Sequence, residues 1–341
     1  MKTILVTGGC GFIGSCFVRK ILSSTKAISV IVADKLTYAG NLGNLEQFWF
    51  DPRLSFKKVD ITDKKKMDAI FRSREIDTVV HFAAETHVDR SIKDATPFIK
   101  TNVLGTQVLL DACKIRSIER FVQVSTDEVY GALNDDEPAF TEGSPLRPTN
   151  PYSASKAAAD FLVQAYHHTH GMPCIITRCS NDYGPYQFPE KFIPVVISKA
   201  LDDESIPVYG RGQNLRDWVH VEDHCNGILQ AIEHGMPGEI YNFGGGGPRR
   251  NIEVVNMILD IMGKPESLIT FVEDRPGHDY RYAMDFQKAS KELGWAPAMT
   301  FEDGLRATIV WYQEHPEWIE SIKTKTYLNC YRDYKQLVHK R

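Results

Sequence analysis

The feature that most constrains this chain is a glycine-rich turn between a short apolar strand and an amphipathic helix. Residues 7–14 read TGGCGFIG, which fits both GxGxxG and GxxGxxG spacing, and they join a predicted strand at 4–7 to a predicted helix at 11–22. Glycines in this context let the backbone approach a pyrophosphate, and the helix N-terminus supplies free N–H groups and a favourable dipole. The turn therefore predicts a bound dinucleotide. The alternative is a glycine-rich turn without a ligand.

The first half of the chain alternates short β-branched runs with amphipathic ones. Strands are predicted at 4–7, 30–33, 54–59, 78–82, 121–125 and 174–177, and helices at 11–22, 63–72, 97–115 and 151–170. This alternation predicts an α/β fold with a doubly wound parallel (Rossmann) sheet. Beyond about residue 180 turns are denser, and helices near 222–234, 252–262 and 302–314 indicate a smaller mixed C-terminal lobe over the carboxyl ends of the strands.

These patterns predict three parts of the chain. Residues 1–180 form the dinucleotide-binding domain, residues 181–322 form mainly the second lobe with some elements returning to the first domain, and residues 323–341 form a tail whose role the sequence does not indicate.

Acidic residues at strand ends identify the dinucleotide. Asp34 ends the second strand, twenty residues after Gly14. A carboxylate there accepts both ribose hydroxyls and repels a 2′-phosphate, which favours NAD over NADP, although the adjacent Lys35 softens that inference. Asp60 also ends a strand, where it could meet the adenine edge. The alternative is a helix N-cap near Thr62 and Asp63.

Composition excludes several function classes. The 341 residues carry a net charge of −4, so there is no basic footprint for nucleic acid. No apolar run reaches membrane-spanning length, and no signal peptide is recognised before the glycine turn. Seven scattered cysteines without a CxxC predict reduced thiols in the cytoplasm. No His, Cys, Asp or Glu cluster has metal-ligand spacing, so no metal is predicted.

Tyr152 and Lys156 lie four residues apart, on one face of a predicted helix. A free phenol is a weak base at neutral pH because its pKa is near ~10. We expect the Lys156 ammonium and a nicotinamide cation to lower the pKa of Tyr152, so that the phenolate takes a proton from a sugar hydroxyl while a hydride leaves for NAD⁺. Thr126, at the end of an apolar strand, would orient that hydroxyl.

Asp127 and Glu128 follow Thr126 directly and offer an acid–base pair for a second reaction. On a regular strand adjacent residues point to opposite faces. Both can therefore reach one substrate only if the strand has ended and the chain turns there. The alternative is that Asp127 merely caps the segment that follows.

With these residues the chain resembles the extended short-chain dehydrogenase/reductase superfamily and, within it, the nucleotide-sugar dehydratases. The resemblance runs from residue 1 to about 313. The glycine turn and YxxxK belong to the whole superfamily, whereas the Thr-Asp-Glu triplet at 126–128 and DRPGHDYRY at 274–282 are more specific to the dehydratases.

The resemblance implies a reaction and the roles of its residues. Tyr152, Lys156 and Thr126 oxidise C4 of a nucleoside-diphosphate glucose, with dTDP-glucose expected over UDP-glucose. Glu128 then removes the C5 proton and Asp127 protonates the departing C6 hydroxyl. Hydride return to C6 gives a 4-keto-6-deoxy sugar and regenerates the tightly bound NAD. The alternatives are a nucleotide-sugar C4-epimerase, a decarboxylase, and a non-catalytic cofactor-sensing regulator.

Cofactor and substrate contacts are also implied by the resemblance, although packing or turn chemistry is the alternative for each member of the substrate runs. The predicted cofactor-binding residues are Gly8, Gly11, Phe12, Ile13, Gly14, Asp34, Lys35, Leu36, Thr37, Asp60, Ile61, Phe82, Ala83, Ala84, Thr86, Thr101, Tyr152, Lys156 and Asp182. The predicted substrate-binding residues are Thr86, Thr126, Asn181, Lys191, Phe192, Ile193, Pro194, Val195, Val196, Pro207, Val208, Tyr209, Arg216, Asn251, Asp274, Arg275 and His278.

One residue departs from the family pattern. The family reads Cys-Ser-Asn-Asn-Tyr-Gly-Pro, but this chain has Asp182 at the second Asn, a position expected near the nicotinamide carboxamide. An ionised Asp accepts hydrogen bonds but cannot donate them, so cofactor retention is expected to differ. The resemblance also implies a homodimer packed through the helices at 97–115 and 151–170. Helices that cover a parallel sheet are amphipathic as well, so these sequences leave the dimer open.

Overall fold

The computed structural model describes residues 3–24, 27–274 and 278–338, and its centre is a seven-stranded parallel sheet. The strands of this sheet are β1 (Thr3–Thr7), β2 (Ser29–Asp34), β3 (Leu54–Lys58), β4 (Thr78–His81), β5 (Arg120–Thr126), β6 (Cys174–Cys179) and β11 (Ile240–Phe243). Their order is β11-β6-β5-β4-β1-β2-β3, so the winding reverses at β1. Ligands bind at such a reversal, at the carboxyl ends of the strands. The predicted doubly wound fold is confirmed.

Helices cover both faces of this sheet. In chain order, the α-helices of the described residues, including those of the C-terminal half, are α1 (Phe12–Ser23), α2 (Lys64–Ser73), α3 (Val88–Lys93), α4 (96–116), α5 (Pro151–His170), α6 (Phe192–Leu201), α7 (Val221–His234), α8 (Asn251–Met262), α9 (Gln287–Leu293), α10 (Phe301–Glu314), α11 (Pro316–Lys323) and α12 (Cys330–Val338). Alternate residues of β1 enter opposite cores: Ile4 and Val6 pack on the side of α1 and α7, whereas Leu5 packs on the side of α2, α4 and α5. Among the described residues, no helix combines the length and apolar character needed to cross a membrane.

The helix predicted at 97–115 is continuous but not uniform. Residues Ile99–Gly105 form π-helical turns between α-helical segments Thr96–Phe98 and Thr106–Arg116. Within these turns Asn102 accepts from the Glu85 backbone N–H at 2.8 Å and donates to the Glu85 carbonyl at 3.0 Å. Such wide turns occur frequently at functional sites, and here they hold the segment after β4.

The C-terminal half forms a smaller lobe around a separate apolar core that includes Ile193, Val254 and Leu305. Its strands are β7 (Asn181–Tyr183), β8 (Ile206–Tyr209), β9 (Leu215–Arg216), β10 (Trp218–His220), β12 (Arg249–Arg250) and β13 (Ile269–Val272), which pair as β7-β10, β9-β12 and β8-β13. Helices α3, α6, α9, α11 and α12 were not predicted. The predicted domain bounds stay a prediction.

The tail, which the sequence could not place, returns to the first domain. The rings of Tyr331 and Tyr334 contact Phe56 of β3 edge-on, with centroids 5.7 and 5.8 Å apart. The Tyr327 hydroxyl donates to the Tyr38 carbonyl at 2.6 Å. Aromatic contacts and this hydrogen bond therefore fasten the end of the chain beside the loop that follows β2.

His81, at the end of β4, is buried between two hydroxyls and makes stability depend on pH. The Thr106 hydroxyl donates to the Asn102 carbonyl, so it accepts from Nε2–H of His81 at 3.0 Å, and the Thr7 hydroxyl donates to Nδ1 at 2.7 Å. Burial, helped by the Lys156 charge, lowers the pKa of His81 to about 3. The unfolded state, with a histidine pKa near ~6.5, therefore takes up the proton first as pH falls.

We expect His81→Gln to flatten the pH dependence of unfolding between about pH 6.5 and 3. The wild-type free energy of unfolding should fall through this window with an added slope of up to ~1.4 kcal/mol per pH unit, and the variant should lack that part. Urea unfolding at several pH values in this range measures it. The exposed His234 gives a matched control, since His234→Gln should keep the wild-type slope. Equal slopes for His81→Gln and wild type would contradict the assignment.

Candidate active site

A cleft of about 300 Å³ opens at the carboxyl ends of β1, β2, β4, β5 and β6. It runs from the glycine turn and the end of β2 to the N-terminal part of α5 and the segment after β6. The five residues predicted to be catalytic all line it: Thr126, Asp127, Glu128, Tyr152 and Lys156. The structure thus brings the two sequence motifs, which lie more than twenty residues apart, to one place.

Backbone atoms, not side chains, form the surface that the glycine turn presents to the cleft. Gly8 has φ +70°, and a Cβ there would lie 2.6 Å from the Ala83 amide nitrogen. A Cβ on Gly14 would collide with the Gly8 carbonyl oxygen. The N-cap of α1 is Gly11, which offers no capping side chain, so the first N–H groups of the helix face the cleft uncapped. This arrangement fits a diphosphate.

Asp34, at the end of β2, lies in the cleft wall with both oxygens fixed. Oδ2 accepts from the Cys10 N–H at 2.9 Å and Oδ1 accepts from the Leu36 N–H at 2.8 Å. Burial raises the pKa of this carboxyl, and the two N–H groups oppose that rise. Each oxygen keeps a lone pair for a further donor, so the geometry fits two ribose hydroxyls.

Asp60 lies beside the same end of the cleft. It forms an ion pair with Lys35 at 2.6 Å and accepts from the Thr62 N–H at 2.9 Å. The N-cap of α2 is Asp63, which accepts from the Lys66 N–H. The alternative that Asp60 caps this helix is therefore wrong, and its carboxylate lines the cleft.

The strand ends directly before Asp127 and Glu128, which is the condition for both carboxylates to reach one substrate. Strand β5 ends at Thr126, and Asp127–Tyr130 form a 3₁₀ turn. The Thr126 hydroxyl accepts from the Glu128 N–H at 3.3 Å and therefore caps this turn. The alternative that Asp127 acts as the cap is wrong. Because the regular strand has ended, Asp127 and Glu128 both reach the cleft.

The surroundings affect the pKa values of the Asp127 and Glu128 carboxyls differently. Burial raises the pKa of Asp127 well above its usual range, and the neighbouring Glu128 charge adds to the rise. Burial also raises the pKa of Glu128, but the cationic Lys191 and Arg216 oppose it. Asp127 is thus the group that holds a proton more strongly, and Glu128 the group that gives one up more easily. Separated pKa values are what an acid and a base in one site need.

Tyr152 and Lys156 project from the first turns of α5. The helix begins at Pro151, and Asn150 caps it by accepting from the Ser153 N–H at 2.9 Å. The Lys156 ammonium donates to the Val124 carbonyl of β5 at 2.7 Å, which fixes the helix against the strand that carries Thr126. Burial lowers the pKa of Lys156 to about 8.

The protein's own groups raise the pKa of Tyr152. Burial raises it well above the usual phenol value and the Glu128 charge adds to this, while a hydrogen bond with Thr126 opposes both. The predicted lowering concerns Lys156 together with a bound nicotinamide cation, and it stays a prediction. A further positive charge in the cleft is needed to favour the phenolate.

The predicted cofactor residues cluster, with one exception. Leu36 does not line the cleft; it has φ 57° and contributes its N–H to Asp34. The others line it: Gly8, Gly11, Phe12, Ile13, Gly14, Asp34, Lys35, Thr37, Asp60, Ile61, Phe82, Ala83, Ala84, Thr86, Thr101, Tyr152, Lys156 and Asp182.

The predicted substrate residues divide into two groups. Thr86, Thr126, Asn181 and Lys191 line the cleft, and the Lys191 ammonium donates to the Thr86 carbonyl at 3.2 Å. The others lie beyond it in the second lobe: Phe192, Ile193, Pro194, Val195 and Val196 in α6, Pro207, Val208 and Tyr209 in β8, Arg216 in β9, Asn251 in α8, and Asp274 and His278 after β13. Arg275 lies outside the described residues.

The predicted substrate residues that lie beyond the cleft include Arg216 and His278, which contact other residues of the C-terminal half. The Arg216 guanidinium donates to the carbonyls of Leu215, Asp279 and Tyr280 and lies 4.4 Å from the Tyr282 ring centroid. The imidazole of His278 pairs with Asp274 at 2.6 Å. The roles predicted for these residues stay predictions.

Sequence reasoning missed Glu190, which lines the cleft from the second lobe. Its carboxylate accepts from the Tyr38 hydroxyl at 2.9 Å and pairs with Arg90 at 3.3 Å. Glu190 therefore ties the loop after β2 to the lobe across the cleft. Its only signal in the sequence was its place inside the run at 181–194 that carries the resemblance.

A second missed feature is the cluster of Cys179, Asp182 and His224, whose potential ligand atoms lie within 4.8 Å of one another. His224 is on α7, far from the others in sequence, so spacing could not reveal it. Its Nδ1 lies 3.0 Å from both Asp182 oxygens. That nitrogen therefore carries the shared proton, where a metal ion would need the lone pair.

Comparison with known proteins gives one consistent result. The family model described as GDP-mannose 4,6 dehydratase matches residues 5–308. The dTDP-glucose 4,6-dehydratase of Actinoplanes sp. is 50% identical over 92% of this chain and 99% of its own length, and that of Neisseria meningitidis serogroup B is 48% identical over 96% and 98%. The solved dTDP-glucose 4,6-dehydratase of Streptomyces venezuelae, with NAD and the ligand TYD bound, has a TM-score of 0.91 at 48% identity over 94% of this chain and 99% of that one.

Proposed function

The chain belongs to the GDP-mannose 4,6 dehydratase family, and from that premise we propose that it converts dTDP-glucose to the 4-keto-6-deoxy sugar plus water with tightly bound NAD. The observation that carries the proposal is the pair Asp127 and Glu128, both in the cleft beside Tyr152. A sugar-nucleotide oxidoreductase or C4-epimerase does not need a second acid–base pair. High identity over almost the whole length to dTDP-glucose 4,6-dehydratases supports the nucleotide.

The first half of the reaction is oxidation at C4. NAD, when bound, accepts the hydride from C4 and later returns it to C6. Tyr152 takes the proton of the C4 hydroxyl, and Thr126, which hydrogen-bonds Tyr152, orients that hydroxyl. Lys156, held by the Val124 carbonyl, supplies positive charge next to the phenol. The buried phenol becomes a base only when a further cation enters the cleft, so Tyr152 is activated by the loaded cofactor site.

The second half is the loss of water. Once C4 is a ketone, the C5 proton is acidic enough for a carboxylate to remove. We assign Glu128 as this base, because the cationic Lys191 and Arg216 favour its charged form and oppose the burial that raises its pKa. We assign Asp127 as the acid that protonates the departing C6 hydroxyl, because burial raises its pKa well above the usual carboxyl range and favours the protonated form.

Mass spectrometry of the purified protein tests the function. The protein is mixed with dTDP-glucose, and separately with UDP-glucose, without added NAD. A product lighter by one water is expected, formed faster from dTDP-glucose. Unchanged mass together with a new C4 isomer by NMR would overturn the proposal in favour of an epimerase. Faster turnover of UDP-glucose would keep the dehydration and replace the nucleotide.

Asp34→Asn should weaken NAD binding and relax discrimination against NADP. The amide NH₂ would oppose one of the two N–H donors that now bond the carboxylate, and the charge that repels a 2′-phosphate would be gone. We expect the ratio of NADP to NAD affinity to rise about tenfold or more, in line with ~1.4 kcal/mol per factor of ten. Competition binding with both cofactors measures it, and an unchanged ratio would remove Asp34 from the ribose site.

We also propose a homodimer through α4 and α5, which pack side by side. Large apolar side chains on these helices are exposed: Ile99 51%, Leu104 47% and Phe161 56%. A surface with several such groups is typical of a protein contact.

Phe161→Glu tests the dimer, because a carboxylate in an apolar interface would be left unpaired and desolvated. Analytical ultracentrifugation should show a dimer for wild type and mainly monomer for the variant. Met236→Glu, at an equally exposed apolar residue on another part of the surface, should leave the dimer intact. A monomeric wild type would refute the proposal.

Two further proposals concern the division of the chain into domains and the cellular compartment. We propose that residues 1–180 hold NAD and that residues 181–322 mainly hold the sugar nucleotide, with some elements returning to the first domain, because the glycine turn and Asp34 lie in the first range and Lys191 and Arg216 in the second. The cytoplasm is the proposed compartment: all seven cysteines are free thiols, six of them buried, as suits a reducing environment.

A further inference from the structure

Asp182 and His224 form a buried pair at the end of the cleft that holds Tyr152 and Lys156. Asp182 lies in β7, directly after β6, and its carboxylate lines the cleft with 9% of the side chain exposed. His224 lies on α7 and is 1% exposed, with Nδ1 3.0 Å from both carboxylate oxygens. The Cys179 thiol is a weaker third partner at 3.7 Å.

The hydrogen bonds define the charge of this pair. His224 Nδ1 must donate, since an ionised carboxylate offers only acceptors. His224 Nε2 is buried and has no hydrogen-bond partner among the described residues. A proton on Nε2 would be a buried donor without an acceptor, so the neutral imidazole with Nδ1–H is the favoured form. The pair therefore carries one net negative charge, on Asp182.

The effect of that charge is visible on its neighbour. Burial raises the pKa of the Cys179 thiol well above its usual range, and the Asp182 carboxylate is the next cause of the rise. Since 9% of the Asp182 side chain is exposed, this charge lies in the low-dielectric wall of the cleft and is little screened by water.

The position of the pair decides which part of a dinucleotide it faces. The glycine turn and Asp34 lie at the adenosine end of the cleft, and Tyr152 and Lys156 at the reacting end. Asp182 lies at the reacting end, because its carboxylate contacts the Cys179 thiol and Cys179 is the strand partner of Thr126. The nicotinamide ring is a cation in NAD⁺ and neutral in NADH, so a fixed negative charge here distinguishes the two forms.

We propose that Asp182, held by His224, is a selectivity residue that favours NAD⁺ over NADH in the resting cleft. This inference rests on the proposed function only in taking NAD as the cofactor. It deepens that function, because a bias toward NAD⁺ returns the hydride to the sugar and keeps the enzyme ready for the next turnover. An amide at this position would hydrogen-bond without the charge.

The test equilibrates the purified holoprotein with an equimolar mixture of NAD⁺ and NADH, removes the free cofactor and quantifies both forms released on denaturation. For Asp182→Asn the bound ratio of NAD⁺ to NADH should fall about tenfold relative to wild type. Asp182→Ser, which also removes the charge but has no amide, should shift the ratio in the same direction. It carries the test if the Asn variant does not fold.

Two outcomes would overturn the inference: a ratio within twofold of wild type, or a shift with Asn but not with Ser, which would assign the effect to the amide. Asp34→Asn is the matched control, because the adenosine ribose is identical in both forms of the cofactor. It should weaken both and leave their ratio unchanged, and a tenfold shift there would also overturn the inference. No sugar nucleotide is present, so a chain that fails to dehydrate dTDP-glucose still gives a decisive ratio.

Discussion

Asp127→Asn is expected to lower formation of the 4-keto-6-deoxy product by about 10²–10⁴-fold, the usual contribution of a positioned acid. The amide keeps the shape of the side chain but has no acidic proton for the C6 hydroxyl. C4 oxidation uses Tyr152, Thr126 and Lys156 and should remain measurable. Glu128 should still remove the C5 proton, so in D₂O the recovered dTDP-glucose should gain deuterium at C5 without losing water.

Glu128→Gln provides the complementary result. It should block both C5 exchange and water loss, since the base itself is removed. Asp136→Asn changes an exposed carboxylate outside the cleft and should behave as wild type. Mass spectrometry resolves all three variants in one assay. Product formation by Asp127→Asn within tenfold of wild type would make this carboxyl structural and assign protonation of the C6 hydroxyl to another group.

Asp160→Asn is expected to lower the free energy of unfolding by about 3–5 kcal/mol, because it leaves a buried guanidinium without its counterion. Arg178 Nε donates to Asp160 at 3.0 Å, and the two side chains are 1% and 0% exposed. Arg178 also donates to the Tyr130 hydroxyl at 2.9 Å, which in turn donates to Asn242. Since Tyr130 ends the turn that begins at Asp127, kcat should fall as well.

Urea unfolding measures this loss. Asp203→Asn removes one partner of the exposed pair between Asp203 and Lys264 and should change the unfolding free energy by less than ~1 kcal/mol. If Asp160→Asn were as mild as this control, water or another group would have to solvate Arg178, and the pair would not anchor the turn.

The features that sequence predicted well are those that local patterns determine. Helix α5 is bounded by Asn150 and Gly171, a cap and a left-handed glycine, and its predicted range of 151–170 agrees with the structure. Strands β1, β2, β4 and β6 contain β-branched runs that are buried along almost their whole length, so the sequence pattern predicts them directly. The resemblance supplied the nucleotide-sugar chemistry that spacing alone could not.

The features that sequence missed depend on distant partners. The pairing of Asp182 with His224, and of Tyr38 with Glu190, joins residues separated by 42 and 152 positions. The rise in the pKa of Tyr152 that burial causes was not anticipated, because burial is a property of the whole fold. The position of helix α12 could not be predicted, because its Tyr331 and Tyr334 pack against Phe56 of β3, which lies far away in the sequence.

The wide turns of α4 bear on how this protein could change over evolution. A π-helical turn accommodates an extra residue while the α-helical segments on both sides keep their packing. Losing one residue from Ile99–Gly105 would let the segment become regular α-helix, still able to cover the sheet, but it would withdraw Asn102 from Glu85. The support for this wall of the cleft is thus encoded in the length of the helix as much as in its residues. Descendants of this chain should accept substitutions there more readily than deletions.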